Sequence, residues 1–195
     1  VHYFPAGATK YGADAAGAYQ YEGKEYAGYF AHVAGAVESC TDCHDAHALE
    51  VEAEACSGCH GTEDLAAIRM DSTDFDGDGD TTEGIAGEID GMREALYAAI
   101  QAYAADTAGT GIIYESHTYP YFFVDTDGDG AVTPGEAIYP NAFAACTPEL
   151  LKAAYNYQYA TKDPGGFAHN GDYVMQVLYD SIEAVGGDVS GLTRP

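Results

Sequence analysis

The sequence predicts a mainly α-helical fold with extensive irregular loops and a small β-hairpin. Apolar residues recur at steps of three and four in the second half of the chain, the period of a helix with one buried face. Glycine and acidic residues cluster into loops, and two tyrosine-rich runs flank a Glu-Gly turn. With 195 residues, of which 47% are hydrophobic, the chain can bury the core of a single domain over residues 1–195.

The first predicted element is the hairpin, formed by the tyrosine-rich runs of residues 18–30 around Glu22-Gly23. It lies in an N-terminal region, residues 1–37. A segment with four cysteines, residues 38–61, follows and is expected to be loop and short helix. Residues 62–195 are expected to hold the helices and two acidic loops.

Three helices are predicted in the C-terminal region. Residues 84–105 and residues 172–185 each carry apolar residues on one face, and Asn170 or Asp172 is expected to cap the second of them. Between these two helices, Pro148 opens another. The residues expected to face inward are Ile85, Ile89, Met92, Leu96, Ile100 and Tyr103, then Leu150, Leu151, Ala154 and Tyr155, then Val174, Val177, Leu178, Ile182 and Val185.

The chain is strongly acidic, with 32 Asp and Glu residues against 7 Lys and Arg residues and a formal net charge of −25. Such a chain repels nucleic acid and anionic lipid, so we expect no nucleic-acid partner. It suits cations or basic partners instead. No run of 18 apolar residues is present, so we expect no membrane-spanning segment. The chain begins at Val1 without a basic leader or apolar signal stretch, which we interpret as a mature secreted product.

Four of the five cysteines form two CxxC pairs, and a histidine follows each pair at once, in the strings CTDCH and CSGCH. In such a motif the two thiols add across the vinyl groups of one haem, and the histidine gives the iron an imidazole ligand. The motifs therefore predict two covalently attached c-type haems. The attachment residues are Cys40, Cys43, Cys56 and Cys59, and the proximal iron ligands are His44 and His60.

Other uses of the cysteines remain open. The two CxxC pairs could hold a tetrahedral zinc ion, although zinc would leave both histidines unexplained. A redox-active dithiol needs one CxxC at a helix start rather than two in tandem, whereas plain disulfides are compatible with a secreted chain. The fifth cysteine, Cys146, has no histidine after it. We expect it to be a small buried apolar residue, with an intermolecular disulfide as the alternative.

A haem iron with one imidazole needs a sixth ligand, and the chain has seven histidines but only three methionines. We therefore expect bis-histidine ligation, which gives a lower reduction potential than a histidine with a methionine. His47 lies three residues after His44 and would ligate the second haem or one from another chain. The distal candidates are His47, His169, His32 and His117, together with His2, which could reach a haem of a neighbouring subunit.

A twelve-residue acidic loop matches the calcium-binding loop of helix–loop–helix proteins. Aspartates fill its first, third and fifth positions, Gly130 makes the sharp turn at the sixth, and a glutamate closes it. The predicted calcium ligands are Asp125, Asp127, Asp129, the carbonyl of Ala131, Thr133 and Glu136.

A second acidic loop fits the calcium pattern only in part. Its predicted ligands are Asp74, Asp76, Asp78 and Asp80. Ile85 stands at the twelfth position, where a bidentate glutamate belongs, so Glu83 or Glu88 would have to substitute. We therefore expect one or two bound calcium ions.

The string CTDCHDAHALEVEAEACSGCHG resembles the multihaem c-type cytochromes of bacteria that respire onto external metals or partner cells. The similarity extends over about Tyr19–Val185 and includes the segment DPGGFAHN. The resemblance implies proximal ligation by His44 and His60 and distal ligation by His47 and His169. Family members usually hold more haems per residue, whereas this chain has motifs for two.

Together these features predict an extracellular or cell-surface dihaem electron carrier, with a periplasmic location as the alternative. Its partners would be other cytochromes or extracellular electron acceptors, and its haems would supply much of the core. Some proteins of the resembling family polymerise, so we expect self-association and hold a homopolymeric conductive filament as a hypothesis. The alternative function is a small peroxidase-like enzyme, which would need one open iron; the many histidines favour an electron carrier that is not an enzyme.

Overall fold

A computed structural model describes residues 3–48 and 50–195, and within these ranges the fold is mainly helical, as predicted. His2 lies outside the described residues. The helices are α1 (Tyr3–Tyr11), α2 (Ala53–His60), α3 (Ile85–Tyr103), α4 (Pro148–Thr161) and α5 (Gly166–Ala184), with short 3-10 turns at Gly12–Asp14, Cys40–Asp42, Leu65–Ala67 and Tyr139–Asn141 and a π-helical turn at Ala104–Ala108. In the described part of the chain, no helix has both the length and the apolar character needed to cross a membrane.

The apolar core lies between α3, α4 and α5, which pack against one another. Met92, Leu96 and Ile100 are fully buried on one face of α3, at the spacing that the sequence predicts. On α5, Leu178 and Ile182 complete this cluster. A smaller apolar cluster joins α1 to α4 and α5, so the first helix of the chain also packs onto the C-terminal helices.

The start of α5 is a bend, because the backbone of Asn170 leaves the helical region. The Tyr173 backbone N–H donates to Asn170 Oδ1 at 3.2 Å, so Asn170 caps the long part of the helix, as predicted. The Asn170 side-chain amide also donates to the Gly28 carbonyl at 2.9 Å. The short turn that precedes Asn170 carries His169 and holds it at the junction of α4 and α5.

The small β-hairpin exists, but it is not at the predicted position. It is formed by β1 (Ile112–Tyr114) and β2 (Phe122–Val124), which pair antiparallel. Residues 18–30 instead form a turn at Glu22-Gly23 and otherwise run extended without a ladder. The prediction of a hairpin at residues 18–30 is therefore wrong.

The tyrosine-rich segment bonds to helix side chains, which explains why it does not pair with itself. The backbone N–H of Tyr19 donates to Asn156 Oδ1 on α4 at 2.7 Å. The backbone N–H of Ala27 donates to Gln176 Oε1 on α5 at 2.7 Å. Side-chain amides of the helices thus take the place of a partner strand.

Two smaller predictions about burial are also wrong. Leu151 and Tyr155 on α4 are exposed, because the buried face of the helix runs through Leu150, Ala153 and the residues that follow at helical spacing. Cys146, which precedes α4, is exposed rather than buried. The remaining inward-facing residues that the sequence predicts on α5 are buried.

Candidate haem and cation sites

The two CxxCH motifs lie on short helical turns outside the apolar core. The first begins at the Cys40–Asp42 turn, where the Asp42 carboxylate accepts from the Ser39 backbone N–H at 2.8 Å. The second occupies the end of α2, which Gly61 closes in a left-handed conformation with φ of +71°. All four cysteine thiols of the two motifs are free.

The chain between the motifs folds back so that they lie side by side. The Glu52 backbone N–H donates to the Cys43 carbonyl at 3.0 Å, and His44 forms an isolated bridge with Val51. Burial raises the pKa of the Cys43 thiol, and the nearby Cys56 thiol adds to this effect. The thiols of Cys43, in the first motif, and Cys56, in the second, therefore lie near each other.

Each CxxCH histidine faces a second histidine that is distant in sequence or in another segment. The ring centroids of His44 and His169 are 6.4 Å apart, with an angle of 34° between the ring planes. The ring centroids of His32 and His60 are 5.7 Å apart, with an angle of 60°. The fold thus brings together two of the four distal candidates that lie in the described residues with the two proximal ones.

These separations between ring centroids match those of two imidazoles that bind one metal from opposite sides. A metal–nitrogen bond is about 2 Å long, and the ring centre lies about 1 Å beyond the nitrogen, so two rings on opposite sides of one metal have centres about 6 Å apart. Both pairs lie close to this distance. With two thiols next to each pair, the residues present fit two covalently attached haems.

His169 is held by a buried carboxylate. Its Nδ1 lies 2.8 Å from Oδ1 and 3.0 Å from Oδ2 of Asp163, whose side chain is 2% exposed. Nδ1 is thereby the donor, which leaves Nε2 free for a metal. A Cβ on Gly165 would lie 2.9 Å from His169 Cε1, so a glycine at this position lets the ring pack against the backbone.

His32 lies in a less polar setting. Partial burial lowers its pKa, and the neighbouring His60 and Lys10 lower it further. The neutral imidazole is the form that binds a metal, so the environment favours the ligating state. The ring of Phe30 meets His32 edge-on at 6.0 Å between ring centroids.

The other two distal candidates lie at the surface. His47 is exposed, and its backbone N–H donates to Asp45 Oδ1 at 2.8 Å. The His117 side chain is 91% exposed and lies 3.1 Å from Glu115 Oε1. The described contacts place neither residue against a CxxCH histidine, so their ligation stays a prediction that involves another chain or another haem.

The complete acidic loop has the hydrogen bonds expected of a calcium loop. The backbone N–H groups of Gly128 and Gly130 donate to Asp125 at 2.7 and 2.9 Å. The backbone N–H groups of Thr133 and Thr126 donate to Glu136, and together with the Thr126 hydroxyl they lower the pKa of Glu136 to about 2.

Three carboxylates of this loop converge. Oxygens of Asp125, Asp127 and Glu136 lie within 4.8 Å of one another. Three negative side chains at this separation form an oxygen-rich set of the kind that Ca²⁺ prefers.

The partial acidic loop repeats the same scaffold with a different closing residue. Backbone N–H groups of Gly77 and Gly79 donate to Asp74 at 2.6 and 2.9 Å, as in the complete loop. The Phe75 backbone N–H donates to Glu88 Oε2 at 2.7 Å, which is the contact that Thr126 makes with Glu136. Glu88 therefore closes this loop from the first turn of α3.

Glu88 is not free to give both oxygens to a cation. Its other oxygen lies 2.6 Å from the Arg69 guanidinium, and its side chain is fully buried. Glu83 points to the loop instead, with oxygens of Asp76, Asp78 and Glu83 within 4.8 Å of one another. In the described chain Glu83 Oε1 is buried without a hydrogen-bond donor, and burial raises the pKa of this carboxyl.

Sequence reasoning missed three residues that shape these sites: Asp163, Gly165 and Arg69. Asp163 and Gly165 stand within the segment DPGGFAHN that carries part of the family resemblance, and the two glycines were a signal of a close backbone approach. Arg69 is one of only seven basic residues in a chain of net charge −25, which is itself a signal of a structural ion pair.

Comparison with known proteins supports the haem interpretation. The chain is 34% identical over 113 residues to the C-type polyheme cytochrome OmcC of Geobacter sulfurreducens, which covers 54% of this chain and 14% of the relative. It is 36% identical over 101 residues to the C-type polyheme cytochrome OmcB of the same species, covering 48% of this chain and 13% of the relative. The chain thus spans about a seventh of the length of these relatives. No protein-family model and no solved structure matches it.

Proposed function

Because this chain is homologous to multihaem c-type cytochromes over about half of its length, we propose that it is a dihaem electron carrier outside the cytoplasm. The observation that supports the proposal is the pairing of each CxxCH histidine with a second histidine, at 6.4 and 5.7 Å between ring centroids. The first haem would be held by the first cysteine pair with His44 and His169. The second would be held by the second cysteine pair with His60 and His32.

Each haem, when bound, supplies one-electron chemistry by cycling its iron between the ferric and ferrous states. The chain's own residues determine which substrates are excluded from the iron. An imidazole on each side of the iron would leave no position for a substrate such as peroxide, so the histidine pairs favour an electron carrier over the peroxidase-like alternative. His169 is fixed by Asp163, and His32 is favoured in its ligating form by its surroundings.

Location and partners follow from charge and surface. A net charge of −25 suits a protein that meets other redox proteins or electron acceptors outside the cell, and a basic patch on a partner would steer it to this surface. Self-association into a filament is the finer hypothesis. With His32 and His169 assigned to the two irons in this proposal, a filament would use haem-edge contacts, with exposed His47 and His117 available only to a further haem.

The complete acidic loop, Asp125–Glu136, is proposed to bind calcium through its three converging carboxylates and the neighbouring oxygens. The loop that begins at Asp74 is proposed to bind a second, weaker ion through Asp76, Asp78 and Glu83. The reason for the difference is Arg69, which already neutralises Glu88. Weak sites suffice outside the cell, where calcium is millimolar.

Carbon monoxide binding to the reduced protein tests the function and the ligand pairs together. The wild-type protein is expected to bind carbon monoxide slowly or not at all, because both irons would carry two imidazoles. His169→Ala and His32→Ala should each open one iron and give binding of about one carbon monoxide per chain. His47→Ala and His117→Ala are matched controls that should behave as wild type.

Two outcomes would contradict the proposal in different ways. Rapid binding of carbon monoxide to the wild-type protein would support the peroxidase-like alternative. Binding created by His47→Ala but not by His169→Ala would show that the pairs are assigned wrongly while the dihaem carrier stands.

A further inference from the structure

The two histidine pairs differ in the charge placed against them. The His44–His169 pair has a buried carboxylate, Asp163, in direct contact with the ring of His169 at 2.8 Å. The His60–His32 pair has an ammonium group instead, because Lys10 donates to the Phe30 carbonyl at 3.0 Å, two residues from His32.

We propose that Asp163 and Lys10 make the two haem positions unequal in reduction potential, with the His44–His169 position the lower. This inference rests on the proposed function. Asp163 is a positioning residue that acts through the ligand His169, whereas Lys10 acts through its charge, and neither acts on a substrate. With both haems bound, the consequence would be a fixed direction: one electron would pass from the ferrous iron held at the His44–His169 position to the ferric iron held at the His60–His32 position, with no proton transferred.

The physical reason for the lower potential is the hydrogen bond from His169 Nδ1 to Asp163. A carboxylate that accepts this hydrogen bond makes the imidazole more basic and more electron-donating, which stabilises the ferric state. The Asp163 side chain is 2% exposed, so solvent screens its negative charge only weakly. Both the hydrogen bond and the buried charge therefore act in the same direction.

The His60–His32 position has a positive charge nearby, that of Lys10, which should raise its reduction potential. The Lys10 ammonium also lies over the ring of Tyr29, 5.1 Å from its centroid, and these two contacts hold it beside the first residues of the His32 segment. The ring of Phe30, whose carbonyl accepts from Lys10, meets the His32 ring edge-on at 6.0 Å between ring centroids. A positive charge near an iron favours the ferrous state, which raises the potential of the His60–His32 position.

Spectroelectrochemical titration of the haem-loaded full chain tests the inference. The wild-type protein is expected to show two one-electron steps. Asp163→Asn, which keeps the shape of the side chain, should move only the lower step to a more positive potential. The expected change is about tenfold in the equilibrium constant for electron exchange between the two positions, which corresponds to about 59 mV for a one-electron couple.

Two further variants control for charge alone. Lys10→Gln should move the upper step to a more negative potential and should move it further than the lower step. Asp172→Asn removes a carboxylate from the same helix, three residues after His169; this exposed side chain makes no hydrogen bond to a histidine among the described residues, and its removal should move neither step selectively. Asp163→Glu should restore most of the wild-type lower potential if the carboxylate contact is what matters.

The inference is overturned if Asp163→Asn leaves both steps unchanged, moves them equally, or moves the upper one. It is also overturned if Asp163→Asn and Asp172→Asn give the same pattern. If Asp163→Asn detaches His169, carbon monoxide will bind to the reduced variant, and Asp163→Glu then decides the matter by restoring or failing to restore the lower step. A protein without two haems would instead contradict the proposed function, so the two failures are distinguishable.

Discussion

The helical unit formed by α3, α4 and α5 and the segment of residues 19–74 are ordered in different ways. α3 alone buries Ile89, Met92, Leu96 and Ile100, all in one apolar cluster with α4 and α5. In contrast, no described residue between positions 19 and 74 is buried. The second region contains both CxxCH motifs, so the part of the chain that would hold the haems is the part that lacks an apolar core of its own.

The two regions therefore obtain their stability from different interactions. The helical unit gains it from apolar burial, which is worth about 25 cal/mol for each Å² removed from water. The segment of residues 19–74 relies on a few polar contacts with the helices, such as the Arg69–Glu88 pair and the amide of Asn170 on Gly28. Covalent attachment at four cysteines is the kind of restraint that a segment of this type needs.

The pair that joins the two regions gives the largest expected effect. Glu88→Gln leaves the Arg69 guanidinium, which is 9% exposed, without its charged partner, and should lower the free energy of unfolding by about 3 to 5 kcal/mol. Chemical denaturation followed by circular dichroism measures the change. Asp90→Asn breaks the more exposed Arg93–Asp90 pair on the same helix and should cost no more than about 1 kcal/mol. Equal losses in the two variants would show that burial does not distinguish the pairs.

Adjacent leucines on α4 give the next effect and test the burial of the helical unit. Leu150→Ala removes a fully buried side chain and should cost about 2 to 5 kcal/mol in the free energy of unfolding. Leu151→Ala changes a side chain that is 59% exposed and should stay within about 0.5 kcal/mol. Thermal denaturation of both variants beside wild type provides the comparison. A larger loss for Leu151→Ala would mean that this face is covered in solution, as self-association would require.

Calcium gives the smallest effect. At about ten times the dissociation constant, calcium should raise the melting temperature by about 3 °C or more, since an ion that binds only the folded loop would stabilise the folded state. Glu136→Gln should remove most of this rise, because Glu136 closes the complete loop. Glu149→Gln, a surface change on α4, serves as the control and should keep the full response. A calcium response that survives Glu136→Gln but is lost in Glu83→Gln would place the stronger site in the other loop.

The sequence could predict features that depend on local spacing. The buried face of α3, the cap at Asn170 and the aspartates of the complete acidic loop each follow from residues a few positions apart. The CxxCH motifs are of the same kind, since their chemistry lies within five consecutive residues.

Features that depend on long-range contacts could not be predicted from local spacing. The tyrosine-rich run has the sequence pattern of a hairpin, but its hydrogen-bond acceptors, Asn156 and Gln176, lie more than a hundred residues away in the sequence. His47 is the nearest candidate in sequence, yet the fold places His169 against His44, because the α4–α5 junction returns to the first motif. The ion pair between Arg69 and Glu88 could not be predicted for the same reason, since Arg69 approaches Glu88 from outside the acidic loop.

The central claim is that thioether bonds join two haems to this chain beside His44 and His60. The most direct test is to unfold the purified protein in acid, extract it with an organic solvent, and measure the intact mass of the polypeptide. The account predicts that the red colour stays with the protein and that its mass exceeds the polypeptide mass by two haem groups. A colourless protein at the mass of the bare polypeptide would contradict it.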